Sequence, residues 1–155
     1  MPALPAAARA ISAAVTDGVA AAGARDAAAF DEATTRLAAL DPALVSEVLG
    51  TVVRALLEEA HPAGLAGDDL RTVLTDCTRS ASWASDVDPA ALLVVLTGAL
   101  GLQDPDEQPP IHPRSVGRHA VLLVAQLLGR TGSPLAGHLA AALAELARAQ
   151  TVEMP

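Results

Sequence analysis

Apolar residues recur along much of the chain at the three- and four-residue spacing of amphipathic helices, and prolines mark where several of these helices begin. Asp41-Pro42, Asp88-Pro89 and Ser133-Pro134 each place a favourable N-cap residue before a proline at the first helical position. His112-Pro113 has the same form, although histidine is a poorer cap. The pattern therefore predicts helix starts at these four prolines.

The first four predicted helices each have one apolar face. The first two carry Ile11, Val15 and Val19, and then Phe30, Ala33, Thr34 and Leu37, with a boundary near Gly18 and Gly23. The third runs from Pro42 to about Ala60 and has the clearest stripe, made of Leu44, Val45, Val48, Leu49, Val52, Val53, Leu56 and Leu57. The fourth is capped by Asp68 or Asp69 and turns Leu70, Val73, Leu74 and Cys77 inward.

The fifth helix, Pro89 to Leu102, is apolar on all sides, and the sixth, Pro113 to about Gly129, is nearly so. A helix that is apolar all round needs to be surrounded by protein, so we expect these two to form the centre. The seventh runs from Pro134 to about Gln150. The predicted fold is all-α: one domain over residues 1–155, a compact bundle of six or seven helices with two strongly apolar central helices.

Composition narrows the range of functions. The formal net charge of −8 opposes binding to nucleic acid and to anionic membrane surfaces, so we expect neither as a partner. The sequence contains no lysine, which excludes phosphate-loop lysines, Schiff-base lysines and Ser-x-x-Lys acylation sites. Phe30 and Trp83 are the only aromatic side chains, which disfavours ligand sites built by ring stacking.

Cysteine content and the apolar segments bear on location. Cys77 is the only cysteine, so no disulfide can form within the chain and a reduced, cytoplasmic location is expected. The Ala-rich start lacks a leucine-rich apolar region and is interrupted by Asp17, which disfavours a secretory signal. The apolar run from Ala90 to Leu102 is too short to cross a bilayer as a helix.

Motifs for metal or nucleophilic chemistry are weak. Glu58 and His61 form a single Glu-x-x-His pair at a helix end, without the second copy that a di-iron bundle needs, so we expect a solvated helix terminus there. No Cys-x-x-Cys, His-x-x-x-His or Gly-x-Ser-x-Gly motif occurs. Cys77 lies on an apolar stripe, which is typical of an inert buried thiol. We therefore expect no metal and no cofactor.

Two groups of residues remain as candidate sites. Arg114, Ser115, Arg118 and His119 crowd the first turns of the sixth helix, where the helix dipole already favours an anion. The two cations either pair with the acids of the preceding loop, Asp104, Asp106 and Glu107, or bind a small anionic ligand or acidic peptide. Trp83, in a Ser-rich segment predicted to be a loop, is either core packing or an interface residue.

Two functions of different class remain. The first is a non-catalytic helical interaction or regulatory module, a homodimer or an adaptor for another protein, which requires no signature residues. The alternative is a small-molecule binding protein or modest enzyme, with a pocket between the central helices and the turn from Arg114 to His119. The sequence favours the first and leaves open whether any catalytic activity exists.

Overall fold

A computed structural model of the chain describes residues 3–102 and 111–153 and folds them into seven α-helices without a β-strand. The helices are α1 (Ala3–Ala24), α2 (Ala27–Ala38), α3 (Pro42–Ala60), α4 (Gly67–Ser80), α5 (Pro89–Ala99), α6 (Pro113–Thr131) and α7 (Leu135–Glu153). The predicted all-α bundle is confirmed. Over the same residues, no helix is both long enough and apolar enough to cross a membrane.

Three of the four predicted proline starts have the expected cap. The side chains of Asp41, Asp88 and His112 accept the backbone N–H two residues further on, at 3.0, 2.9 and 3.1 Å. Each satisfies a donor that the first helical turn leaves free. Ser133 differs: α7 begins at Leu135, and the Ser133 hydroxyl donates to the carboxylate of Glu59 in α3 instead.

The boundary between α1 and α2 lies at Arg25, beyond the predicted glycines. Arg25 has φ 54°, and Asp26 then caps α2 by accepting the N–H of Ala29 at 3.1 Å. Gly18 sits inside α1, where a Cβ would lie 3.0 Å from Cγ1 of Val121 in α6. This glycine therefore allows a close approach of α1 to α6 and does not end a helix.

The start of α4 also differs in detail from the prediction. Ala66 occupies the N-cap position, and Asp68 and Asp69 lie within the first turn. The Asp69 carboxylate accepts the backbone N–H of Ala66 at 2.8 Å, so an acid one turn inside the helix takes the place of a side-chain cap. The helix ends at Ser80, and the segment around Trp83 is irregular, as predicted.

The centre of the bundle is built around α6, which packs against α1, α2, α3, α4 and α5. Its most extensive partner is α3, whose predicted stripe is buried from Val45 to Leu57. The fifth helix lies beside α6 but is not enclosed: Leu93 is 47 % exposed. The expectation of α5 and α6 as the central pair is therefore corrected to α3 and α6. α5 has 11 residues, whereas α3 and α6 have 19 each and share the most extensive contact between two helices.

Candidate functional site

The first turns of α6 separate the four residues predicted to form a ligand site. Arg114 is exposed, lies at the edge of a cleft, and forms no ion pair among the described residues. Arg118 and His119 bond to other parts of the fold, and the Ser115 hydroxyl and carbonyl lie 3.3 and 2.7 Å from Nδ1 of His119 on the same helix. Of the four residues, Arg114 is thus the one that forms no ion pair within residues 3–102 and 111–153, and anion binding by the four residues as a set stays a prediction.

Arg118 connects three parts of the chain. Its guanidinium pairs with Asp31 of α2, donates to the Ser85 carbonyl at 2.9 Å, and lies 4.8 Å from the centroid of the Phe30 ring. The side chain is only 14 % exposed. The acids first considered as its partners, Asp104, Asp106 and Glu107, lie outside the described residues. These contacts give Arg118 a structural role, joining α2 and the segment before α5 to α6.

His119 is buried and bonded at both ring nitrogens. Its Nε2 accepts the backbone N–H of Asp88 at 2.9 Å, so this nitrogen carries no proton. The proton is therefore on Nδ1, which donates to the Ser115 carbonyl at 2.7 Å. Burial lowers the pKa of His119 below its usual 6.5, and the nearby charge of Arg118 adds to this effect. Because Asp88 caps α5, the neutral ring holds the start of α5 against α6.

Trp83 is half-buried and packs on Phe30. The two rings lie edge to face, with centroids 5.2 Å apart and an interplanar angle of 89°. Trp83 also borders a small cleft of about 190 Å³ next to Cys77 and the end of α1. The contact with Phe30 is the packing role considered for Trp83, and its role at an interface stays a prediction.

A larger cleft of about 840 Å³ opens between the end of α2, the first half of α3, the second half of α5 and the start of α6. Its described walls are mainly aliphatic, with Leu37, Val45, Leu49, Val95 and Val116 among them. Glu47, His112 and Arg114 supply ionisable groups. A pocket beside the start of α6 was expected, but α2 and α3 form much of it. Their part in it was not predictable, because it depends on how α3 packs against α6.

A polar cluster joins α3 to the start of α7. The Ser133 Oγ and the His138 Nε2 each lie close to Oε2 of Glu59, at 3.0 and 3.1 Å, and are 3.0 Å from each other. A catalytic triad would place the acid at Nδ1 and leave Nε2 for the serine. Here the acid and the hydroxyl share one nitrogen, so the cluster fits a polar contact between helices. No short motif in the sequence indicates this cluster, because 74 residues separate Glu59 from Ser133.

The remaining candidates for metal or thiol chemistry have structural roles. His61 ends α3, and its Nδ1 lies 3.0 Å from the Leu57 carbonyl, in agreement with the predicted helix terminus. Glu58 pairs with Arg54 on the helix surface. Cys77 is buried, as its stripe predicted, and burial raises the pKa of its thiol to about 12. No group of three or more metal-ligating side chains occurs in the part of the chain that the structure describes.

The described residues thus form two surfaces of interest, an open aliphatic cleft and an exposed apolar face on α5. They do not bring together a group of side chains suited to catalysis. Comparison of the chain with protein-family models, with curated proteins and with solved structures finds no match.

Proposed function

We propose that this protein is a non-catalytic helical module that self-associates as a homodimer through the outer face of α5. We define the outer face by Ala90, Leu93 and Thr97. The observation that carries the proposal is the exposure of Leu93, 47 % in a helix whose other large side chains are mostly covered. An apolar helix with one bare side is stabilised when another surface covers that side.

The spacing along α5 separates the two sides of the helix. The buried residues Ala91, Leu92, Val95 and Leu96 face α3, α4 and α6. The outer-face residues follow one another at three- and four-residue spacing on the opposite side. The Thr97 hydroxyl donates to the Leu93 carbonyl at 2.9 Å, so its donor is already satisfied inside the helix. The outer face can therefore be covered without leaving that hydroxyl unbonded.

The absence of charge along α5 allows a second copy of the chain to cover this face. Each copy carries a formal charge of −8, so two copies repel wherever acidic surfaces meet. Pro89 to Leu102 lies within the longest run of the sequence that has no ionisable side chain. Contact along α5 therefore avoids both the repulsion and the desolvation of buried charges. A two-fold pairing of α5 with its counterpart closes the assembly as a dimer, the commonest form of homo-oligomer.

The polar groups support a role without catalysis. The cluster of Glu59, Ser133 and His138 has the acid and the hydroxyl at one ring nitrogen, and the buried Cys77 thiol stays protonated near neutral pH. We place the association in the cytoplasm, because the single cysteine is buried and the contact needs no disulfide.

Sedimentation equilibrium over a wide range of concentration tests the proposal. The wild-type chain should approach twice its mass of 15.6 kDa, whereas Leu93→Gln should remain near that mass. Val152→Gln is the matched control, because Val152 is 84 % exposed at the end of α7 and should not affect association. A monomeric wild type, or a Leu93→Gln variant that associates as the wild type does, would contradict the proposal.

A further inference from the structure

The cleft between α2, α3, α5 and α6 has the size and lining of a small-molecule site. Its volume of about 840 Å³ lies within the range of ligand pockets, roughly 300–1,000 Å³. We propose that it binds an aliphatic chain that ends in a carboxylate. The inference does not depend on self-association, because the cleft is lined on α5 by Val94, Val95 and Gly98 and not by the outer face.

The walls of the cleft select an aliphatic group. The described lining includes half-buried aliphatic side chains, Leu40, Val94, Ile111 and Val116, and neither of the two aromatic residues of the chain. Stacking of a ligand ring on Phe or Trp is therefore not available there. Flexible alkyl chains adapt to such walls. Each methylene removed from water contributes roughly 0.8 kcal/mol, which corresponds to an affinity about four times higher.

One helical glycine helps to keep the cleft open. Gly50 lies in the middle of α3 and lines the cleft, and a Cβ built on it would have no atom within 4 Å. A larger side chain at this position would project into free space without displacing the core. Gly50 therefore offers a way to fill the cleft without disturbing the packing of α3 on α6.

Arg114 and the start of α6 supply the positive charge for an anionic end group. Arg114 is exposed at the edge and has no ion pair among the described residues. The first turn of α6 also borders the cleft, through Pro113, and a helix N-terminus carries partial positive charge. The N-terminus of α3 adds nothing to this, because the Asp41 carboxylate already accepts the Ala43 N–H there. Glu47 opposes an anion, and solvent screens its charge and that of Arg114 alike, because both side chains are exposed. The carboxylate is expected to lie near Arg114, with the alkyl chain against the walls.

Isothermal titration calorimetry with linear carboxylates of about eight to fourteen carbons, below their micelle-forming concentrations, tests the inference. Affinity should rise about fourfold per methylene until the cleft is filled. Gly50→Leu should weaken binding at least tenfold. Gly129→Leu is the matched control, because Gly129 is a helical glycine with equally free space, outside the cleft lining, and should bind as the wild type does. Circular dichroism checks that both variants are folded.

Charge variants test the end group even if Gly50→Leu does not fold. Arg114→Gln should weaken carboxylate binding severalfold, and Glu47→Gln should strengthen it. Leu93→Gln should leave binding unchanged, because Leu93 lies outside the cleft lining. The inference is overturned if the wild type binds no carboxylate, if Gly50→Leu folds and binds normally, or if alkylammonium ions bind more tightly than carboxylates. Loss of binding in Leu93→Gln would also overturn it, by placing the ligand between two copies.

Discussion

Arg118 has a structural role in the fold, whereas the exposed Arg114 is accessible to a ligand. We predict that Arg118→Ala lowers the free energy of unfolding by about 2–5 kcal/mol. A charged hydrogen bond to a carbonyl such as that of Ser85 contributes roughly 1.5–3 kcal/mol, and the contact with the Phe30 ring about 0.5–1 kcal/mol. The pair with Asp31 adds at most about 1 kcal/mol, because the Asp31 side chain is 51 % exposed and screened by solvent.

Urea unfolding followed by circular dichroism measures the change. The slope of the free energy of unfolding against urea concentration should be the same in the variant and the wild type, which shows that only stability has changed. Arg114→Ala is the matched control, one turn earlier on the same helix, and should stay within about 0.5 kcal/mol of the wild type. Combining Arg118→Ala with Asp31→Asn should give less than the sum of the two single effects. Equal stabilities of Arg118→Ala and Arg114→Ala would refute the structural role of Arg118.

Three further predictions concern His119, two glycines of α1, and Cys77. Burial lowers the pKa of His119 in the fold, so its contribution to stability is complete above about pH 6.5 and decreases as the pH falls below that value. Between pH 7.5 and 5.5, the free energy of unfolding in urea should therefore decrease less for His119→Gln than for the wild type. An equal decrease in the two proteins would contradict this. Gly23→Ala should stabilise α1 by about 0.5–1 kcal/mol, because no atom lies within 4 Å of the new Cβ. Gly18→Ala should be less stable than Gly23→Ala by about 1 kcal/mol or more, because its Cβ meets Val121. Thermal midpoints in the reverse order would show that this contact is unimportant. Iodoacetamide near pH 8 should label Cys77 only after unfolding, since burial raises its pKa to about 12, and rapid labelling of the native chain would disprove its burial.

The sequence was most informative where the interactions are local. Asp41, Asp88 and His112 cap helices through backbone groups two residues away, so a short motif contains the whole interaction. Gly18 was taken for a boundary because its function depends on Val121, which is distant in the sequence. A pattern of apolar residues reports the burial of a face and does not report which partner covers it.

The candidate site was harder to predict for the same reason. Arg118 and His119 looked available for a ligand because their partners, Asp31 and the N–H of Asp88, come from other helices or their caps. The apolar character of α5 predicted that protein would surround it, but the chain covers only the side of Ala91, Leu92, Val95 and Leu96. The amphipathic α3 took the central position beside α6, which leaves the outer face of α5 exposed.

The exposure of the Leu93 methyl groups tests self-association through α5 most directly. In methyl-labelled protein, a soluble paramagnetic agent should broaden the Leu93 signals strongly in dilute solution and progressively less as the concentration rises. The Val152 signals should stay equally broadened at every concentration. Loss of the broadening at Leu93 alone is the result that self-association through this face requires, and broadening that is independent of concentration at both residues would contradict it.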